Sequence, residues 1–514
     1  MRSAHRRSFL VLGAAVLLTA CAANPVTGKQ ELMLVGEGTE LQIGAKNFAP
    51  TRQAEGGDYR VDPGLGAYVQ QVGQRLAAVS DRKLPYEFAV LNNSIPNAWA
   101  LPGGKIGVNR GLLTELKSES ELAAVLSHEI VHAAARHSAQ AMSRGMLIQG
   151  GLIAAQVAAN DSDYRNIYAA GAGDAAQLLS QRYSREAELE ADRYGIDYMQ
   201  RAGYDVQGAV SLQETFVRMN ERKDSSWLSG LFASHPPSLE RLETNRRRVA
   251  ALPQGGDAGV DRYRAALAPM MRAKPAYDAY DEGRKALSEK RADVALAKAE
   301  QAIRLLPDEA HFHALKGDAY LVQKKNAAAG DAYTAAIQRN DGFFYYYLQR
   351  GLVSERERDD ESARRDLETS LKLLPTGPAY YALGNIALRA RQHDAARQYF
   401  AAAAGAEGPT GDAAMHSLMK LDLPANPEKY LRKQGTLDAD GMLLVAIGNP
   451  TKVAVTALTI AVQYMDANGQ TRDFRRELKG ALAGGQQTQV ATGLGPFQGT
   501  GQFRIAIVSA RVAE

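Results

Sequence analysis

The sequence predicts an α+β chain in three parts, on three observations. Its first 250 residues carry apolar positions at helical spacing, interrupted by a few short alternating runs. Between about 276 and 405, Gly283, Gly317, Gly351 and Gly384 recur at intervals of 34, 34 and 33 residues. After Leu423 the texture turns to alternating β-branched and polar residues between turn signals. With 514 residues and 45% hydrophobic content, the chain has material for about three ordinary cores. The expected division is a leader at 1–20, a mostly helical domain at 21–252, an α-solenoid at 270–408 and a small β-sandwich-like domain at 425–514.

Residues 1–20 read as a targeting segment. Arg2, Arg6 and Arg7 precede an apolar run at 9–18. Leu18-Thr19-Ala20-Cys21 resembles the lipobox of bacterial lipoproteins, which implies that Cys21 is lipidated and becomes the mature N-terminus. With Ala22 after the cysteine, the same resemblance implies the outer membrane. Arg6-Arg7 is either part of a plain positive region, the reading favoured here, or a twin-arginine export signal. Cys21 is the only cysteine, so the chain has no intramolecular disulfide and no thiolate metal site. Sixty-one basic against 57 acidic residues, without a basic–aromatic interleaved run, predict no nucleic-acid partner.

In chain order, helical patterning covers 38–48 and 63–79, and 86–91 reads as a strand. Residues 97–108 read as two short strands around Pro102-Gly103-Gly104. Residues 142–160 are apolar but too short and interrupted to span a membrane; they read as a buried or flap-like helix, and no other span is expected. Helices are expected at 173–202 and 206–220, and a basic helix before Ala250. Residues 252–259 read as a linker. The 34-residue period, with Ala302 and Ala336 and then Pro307 and Pro375 in register, resembles tetratricopeptide repeats, which implies a concave surface for peptides or protein partners. Strands are expected at 441–448, 455–465, 470–478, 486–491 and 502–512, with no chemistry among them.

The chemistry sits at 127–137, SHEIVHAAARH. On a helix, His128 and His132 share a face and can hold one Zn²⁺. Glu129 lies beside that position, where its carboxylate can take a proton from a bound water whose pKa the metal lowers toward about 7. A catalytic zinc takes three protein ligands. A third downstream histidine of the metzincin kind is missing, since Ala135 and Ser138 occupy the required places. His137, five residues after His132, falls off the ligand face of a continuous helix and reads as a surface or helix-end residue. Glu188 and Asp192 share a face of the expected 173–202 helix, so one can bind metal while the other orients a histidine.

HEIVH, followed by Glu188-Leu189-Glu190-Ala191-Asp192 and His235-Pro236-Pro237, resembles the family-48 metallopeptidases, the zinc peptidases that include HtpX, the CAAX-type prenyl proteases and BepA-like periplasmic enzymes. Asn97-Ala98, Pro102-Gly103-Gly104 and Gly111-Leu112-Leu113 fit the same family, and Asn24-Pro25-Val26-Thr27-Gly28 is the start seen in its lipoprotein members. The resemblance covers about 24–250 and, with the repeats, is nearest the BepA-like branch; the C-terminal β domain lies outside it. It implies a mostly helical zincin-type (gluzincin) protease domain with one Zn²⁺ and Glu129 as catalytic base. Glu188 is then the third ligand and Asp192 the carboxylate behind a ligand, while Glu186 and Glu190 are ordinary solvated charges. His235 either reaches the open metal position, leaving a latent enzyme, or merely starts a helix. Arg241 either donates to the oxyanion or substrate, or pairs structurally. The strand at Asn97, Ala98 and Trp99 is the expected edge for an extended substrate. The implied activity is periplasmic endoproteolysis of misfolded, stalled or misassembled envelope proteins, with the repeats contacting outer-membrane assembly machinery and a lipid as the only membrane anchor. The competing reading is a chaperone or assembly scaffold with a latent or structural zinc site.

Overall fold

In this computed structural model residues 21–146, 183–221, 235–236, 238–466 and 468–513 are described. The leader, most of the expected flap-like helix at 142–160 and the first turns of the helix expected at 173–202 lie outside them. The chain forms two compact units, 1–346 and 347–514.

The first unit opens with a hairpin, β1 (Cys21–Ala23) against β2 (Gln30–Leu32). Helices α1 (Glu37–Ala54) and α2 (Pro63–Ala77) follow; Asp62 caps α2 and Pro63 occupies its first position. A three-stranded sheet has the order β3 (Glu87–Leu91), β5 (Lys105–Asn109), β4 (Ala98–Leu101), parallel then antiparallel, so β4 is an edge. The β4–β5 turn needs Gly103 and Gly104, whose φ angles are +77° and +82°. After a short α3 (Arg110–Leu113) comes α4 (Glu119–Ala134), every one of whose residues is buried. Ser118 caps α4 by accepting from the Glu121 N–H, with Glu119 and Glu121 in its first turn. Helices α5 (Arg185–Arg201), α6 (Gln207–Glu221) and α7 (Leu239–Ala250) complete the surround.

The stretch 252–259 is tied down rather than free. Asp257 bridges to Tyr204, and the Ala258 carbonyl accepts from the Ser120 N–H at the start of α4. Helix α8 (Val260–Ser288) then runs without a break from the peptidase core, where Tyr263, Leu267 and Met270 pack, into the first repeat. Helices α9 (Ala292–Leu305), α10 (Ala310–Val322) and α11 (Asn326–Arg339) continue the array, and the unit boundary falls within α12 (Phe344–Arg356). No described helix is long and apolar enough to cross a membrane.

The second unit continues with α13 (Asp360–Leu373), α14 (Gly377–Arg389), α15 (His393–Ala404) and α16 (Pro409–Asp422). The repeat glycines explain the period: a Cβ at Gly317, Gly351 or Gly384 would lie 2.5–2.9 Å from Tyr333, Leu367 or Phe400, the large residue sixteen positions on. Two antiparallel sheets follow, ordered β10-β7-β6 and β11-β8-β9. Their strands are β6 (Arg432–Leu437), β7 (Leu443–Gly448), β8 (Val455–Met465), β9 (Thr471–Leu478), β10 (Gln487–Ala491) and β11 (Phe503–Val512). Leu443, Val445, Ile447, Ile460, Val462 and Ile507 share one core. Strand β6 is absent from the expected set, because its Arg-Lys-Gln-Gly-Thr run is mostly exposed and carries no apolar alternation.

Candidate metal centre

Helix α4 presents His128, Glu129 and His132, and α5 lies against it. Gly195 permits the approach: a Cβ there would stand 3.2 Å from Ser127 Oγ and 3.3 Å from the His128 backbone nitrogen. This contact brings Glu188 onto the histidines. His128 Nε2 is 3.0 Å from His132 Nε2 and 3.6 Å from Glu188 Oε2, and His132 Nε2 is 3.3 Å from Glu188 Oε1. His235, entering from the segment before α7, puts Nδ1 2.9 Å from Glu188 Oε1 and 3.3 Å from His128 Nε2. These four residues form the one group among those described whose ligand atoms all lie within 4.8 Å of one another.

The donor set fits a metal ion. Tetrahedral bonds of about 2.0–2.1 Å put ligand atoms roughly 3.3 Å apart, which is the spacing these atoms show. Imidazole lone pairs converging in a buried space have no protein proton to share among them all, and Glu129 Oε2 is buried beside them without a hydrogen-bond partner.

Both α4 histidines are oriented from behind. His128 Nδ1 is 2.9 Å from Asp192 Oδ1. Asp192 in turn receives both arms of the Arg241 fork, Nε and Nη2, each at 2.7 Å. Arg241 Nη1 lies 2.8 Å from Glu188 Oε2 and also donates to the Pro236 carbonyl at 3.3 Å. Its guanidinium is therefore committed to two carboxylates and a backbone oxygen, which favours the pairing reading over the oxyanion donor. Burial pushes Glu129 up, against the opposing pull of His235 and His128. Burial also opposes ionisation of Asp192, but Arg241 and His128 together outweigh it and hold the carboxyl below its ordinary value.

Glu190 is not the solvated charge expected, and His137 lies just past the end of α4, as a helix-end residue, but buried rather than at the surface. Arg136 takes φ +63° and ends the helix, so His137 turns back instead of continuing round it. His137 is 3% exposed, with Nδ1 2.8 Å from His132 Nδ1 and Nε2 3.3 Å from Glu190 Oε1. The turn is held by Glu40 of α1, which accepts from Arg136 Nε at 2.8 Å, and by the Val35 carbonyl. Tyr183 stacks on the His132 ring with centroids 3.9 Å apart. Glu186, by contrast, is exposed as expected. Helical spacing from His132 does not reveal His137; the signal is the end of the helix at Arg136, where φ turns positive.

Of the remaining expected residues, Ala98 lines the cavity at the centre with His128, Glu129 and His235. Ala98 and Trp99 lie on edge strand β4, and Asn97 just precedes it. Cys21 begins β1.

Comparison with known proteins agrees with this centre. The model of peptidase family M48 matches residues 64–249, and a tetratricopeptide-repeat model matches 280–342 and 348–412. A Vibrio cholerae protein provisionally named a beta-barrel assembly-enhancing protease is 33% identical over 201 residues, 37% of this chain and 40% of that one. The Escherichia coli beta-barrel assembly-enhancing protease is 31% identical over 221 residues, 41% of this chain and 44% of that one. The Escherichia coli metalloprotease YcaL is 31% identical over 186 residues, 35% of this chain and 70% of that one. The chain thus spans about two fifths of the length of the two assembly-enhancing proteases. Over the stretch that carries the metal centre, this chain belongs to peptidase family M48 and adds tetratricopeptide repeats to it.

Proposed function

We propose that this metallopeptidase is a zinc-dependent endopeptidase of the bacterial envelope. His128, His132 and Glu188 are the metal ligands in this reading and Glu129 is the catalytic base. The observation that carries it is the convergence of imidazole nitrogens and a Glu188 oxygen beside the unpartnered Glu129 oxygen. Zinc, when bound, supplies Lewis acidity toward the scissile carbonyl and acidifies the attacking water. Glu129, its carboxyl raised by burial, accepts the proton from the attacking water and passes it to the leaving amine. Asp192 holds His128 with Nε2 toward His132 and Glu188, the residues that would hold the ion with it, and Arg241 holds Asp192. Edge strand β4, with Ala98 facing the cavity, offers backbone groups for an extended substrate at 97–99.

His235 serves as the fourth ligand of a latent state, since its Nδ1 lies at bonding-shell distance from both Glu188 and His128. Residues 21–252 act as the peptidase domain, 270–408 present substrates or assembly partners, and 425–514 form an accessory β domain. The names of the assembly-enhancing relatives support misassembled outer-membrane proteins as substrates. Cys21 carries the lipid that anchors the chain in the periplasm, probed by palmitate labelling of Cys21→Ser.

The test is Glu129→Gln. It is expected to keep one zinc per chain while casein cleavage falls by about 10²-fold or more. Cleavage at the unmodified rate would sink the enzyme reading and leave a scaffold. His235→Ala is expected to raise cleavage; a loss instead would remove the latent state and make His235 a donor to the reaction.

A further inference from the structure

The pentapeptide Asn24-Pro25-Val26-Thr27-Gly28 has so far no task, and neither do His137 and Glu190. The structure joins them. Asn24 is 1% exposed, and its Oδ1 accepts from the Val26 and Thr27 N–H groups, folding the β1–β2 turn onto itself. That leaves Nδ2 to donate outward, to Glu190 Oε1 at 3.0 Å and to Glu31 Oε2 at 3.2 Å. Glu190 Oε1 also faces His137 Nε2 at 3.3 Å, and His137 Nδ1 faces His132 Nδ1 at 2.8 Å.

Proton positions in this chain follow from what each atom can do. A carboxylate only accepts, so His137 Nε2 carries the hydrogen that faces Glu190, and a ring with its one hydrogen there accepts at Nδ1. The hydrogen between the two Nδ1 atoms therefore belongs to His132. Its Nε2 is then bare and points at Glu188 and His128.

We infer that Asn24, Glu190 and His137 form a positioning relay that fixes the tautomer and ring orientation of His132, with the N-terminal hairpin as its outer anchor. The relay is the counterpart of Asp192 and Arg241 behind His128, built through an imidazole where the other side uses a carboxylate directly. It draws together three segments distant in sequence: the β1–β2 turn, the end of α4 and the first half of α5. The αL turn at Arg136 makes it possible, and Glu40 clamps that turn. A basic partner behind a ligand histidine strengthens it as a donor, and losing such a partner typically weakens metal binding by about 10–100-fold.

The inference rests on His132 being a metal ligand, and the experiment separates the two. Zinc affinity of the full chain is measured by competition with a chromophoric chelator, with far-ultraviolet circular dichroism of the metal-free protein as the folding control. His137→Leu is expected to bind zinc about 10-fold or more weakly. Glu190→Ala and Asn24→Ala should follow with progressively smaller losses. His137→Asn, whose side-chain oxygen takes the place of Nδ1, should recover affinity toward the parent and restore the visible spectrum of the cobalt-substituted protein. If His137→Leu does not fold, the Asn and Glu190→Ala variants carry the test alone. A parent chain that binds no zinc overturns the metal-site reading itself. A parent that binds while the folded relay variants bind equally tightly overturns the relay alone.

Discussion

The first unit buries histidines in two settings, and they are treated in opposite ways. In α10, His311 donates from Nε2 to the Gly56 carbonyl at 2.9 Å and accepts at Nδ1 from the Tyr346 hydroxyl. His313 likewise donates from Nε2 to the Pro307 carbonyl at 3.0 Å. Each of these three nitrogens meets a group of complementary character. At the metal centre His128 Nε2, His132 Nε2 and His235 Nδ1 meet one another and a carboxylate, while the far nitrogens of the two α4 histidines are complemented by Asp192 and His137. Burial alone therefore does not separate a core histidine from a ligand. What separates them is whether the second nitrogen is answered by protein or left aimed at its own kind.

The largest expected effect breaks the comparison from the metal side. Stripping the ion with a chelator leaves converging lone pairs unanswered at the metal centre and touches nothing in α10. With free zinc at a thousand times its dissociation constant, the bound ion contributes about 4 kcal/mol to the folded state. Calorimetry should show the thermal transition of the peptidase part falling on chelation and recovering with zinc. A transition indifferent to chelator would mean that the cluster holds no ion.

A smaller effect sharpens the comparison on the repeat side, where buried polar groups are satisfied but one is held against its charge. Burial lifts Asp318 from 3.8 to about 6, although the Tyr333 and Tyr345 hydroxyls donate to its Oδ1 at 2.6 and 2.9 Å. In the unfolded chain it ionises near 3.8, so the fold keeps this stability below about pH 4 and loses it as pH rises toward 6. The loss amounts to about 3 kcal/mol. Asp318→Asn keeps an acceptor for both tyrosines and carries no charge, so its thermal midpoint should exceed the parent's at pH 7.5 and match it at pH 4. Equal midpoints at both pH values would show Asp318 to be solvated.

Much of this was legible beforehand because it depends on local spacing. His128 and His132 are one turn apart, Glu188 and Asp192 are one turn apart, and the repeat glycines mark where helices touch. The residues that escaped depend on backbone events that spacing hides. His137 reads as a surface or helix-end residue; it does follow the helix end, but it is buried, because Arg136 takes a positive φ that no glycine announces. The same silence covers Lys290, Lys324, Arg358 and Arg391, four basic residues at the repeat period with φ between 58° and 65°. Glu190 reads as a solvated charge because nothing near it in the sequence names Asn24 as a partner. The glycines and proline of 252–259 read as a linker, yet Asp257 pairs with Gly203 and Asp205 in the α5–α6 turn and Ala258 with Ser120 of α4.

The smallest effect returns to His311. Replacing it by leucine keeps most of its volume but leaves the Tyr346 hydroxyl and the Gly56 carbonyl unanswered, at a cost of about 1–3 kcal/mol. Burial also lowers its pKa below 6.5, so the folded chain prefers the neutral ring. That preference stabilises the fold above pH 6.5 and fades as pH falls through the depressed value, opposite in sign to Asp318. His311→Leu should therefore lose stability at pH 7.5, flatten the acid limb of the stability curve and still bind one zinc per chain. Loss of zinc on this substitution would abolish the distinction between answered and unanswered nitrogens, since a histidine with both nitrogens matched has no lone pair left to offer a metal.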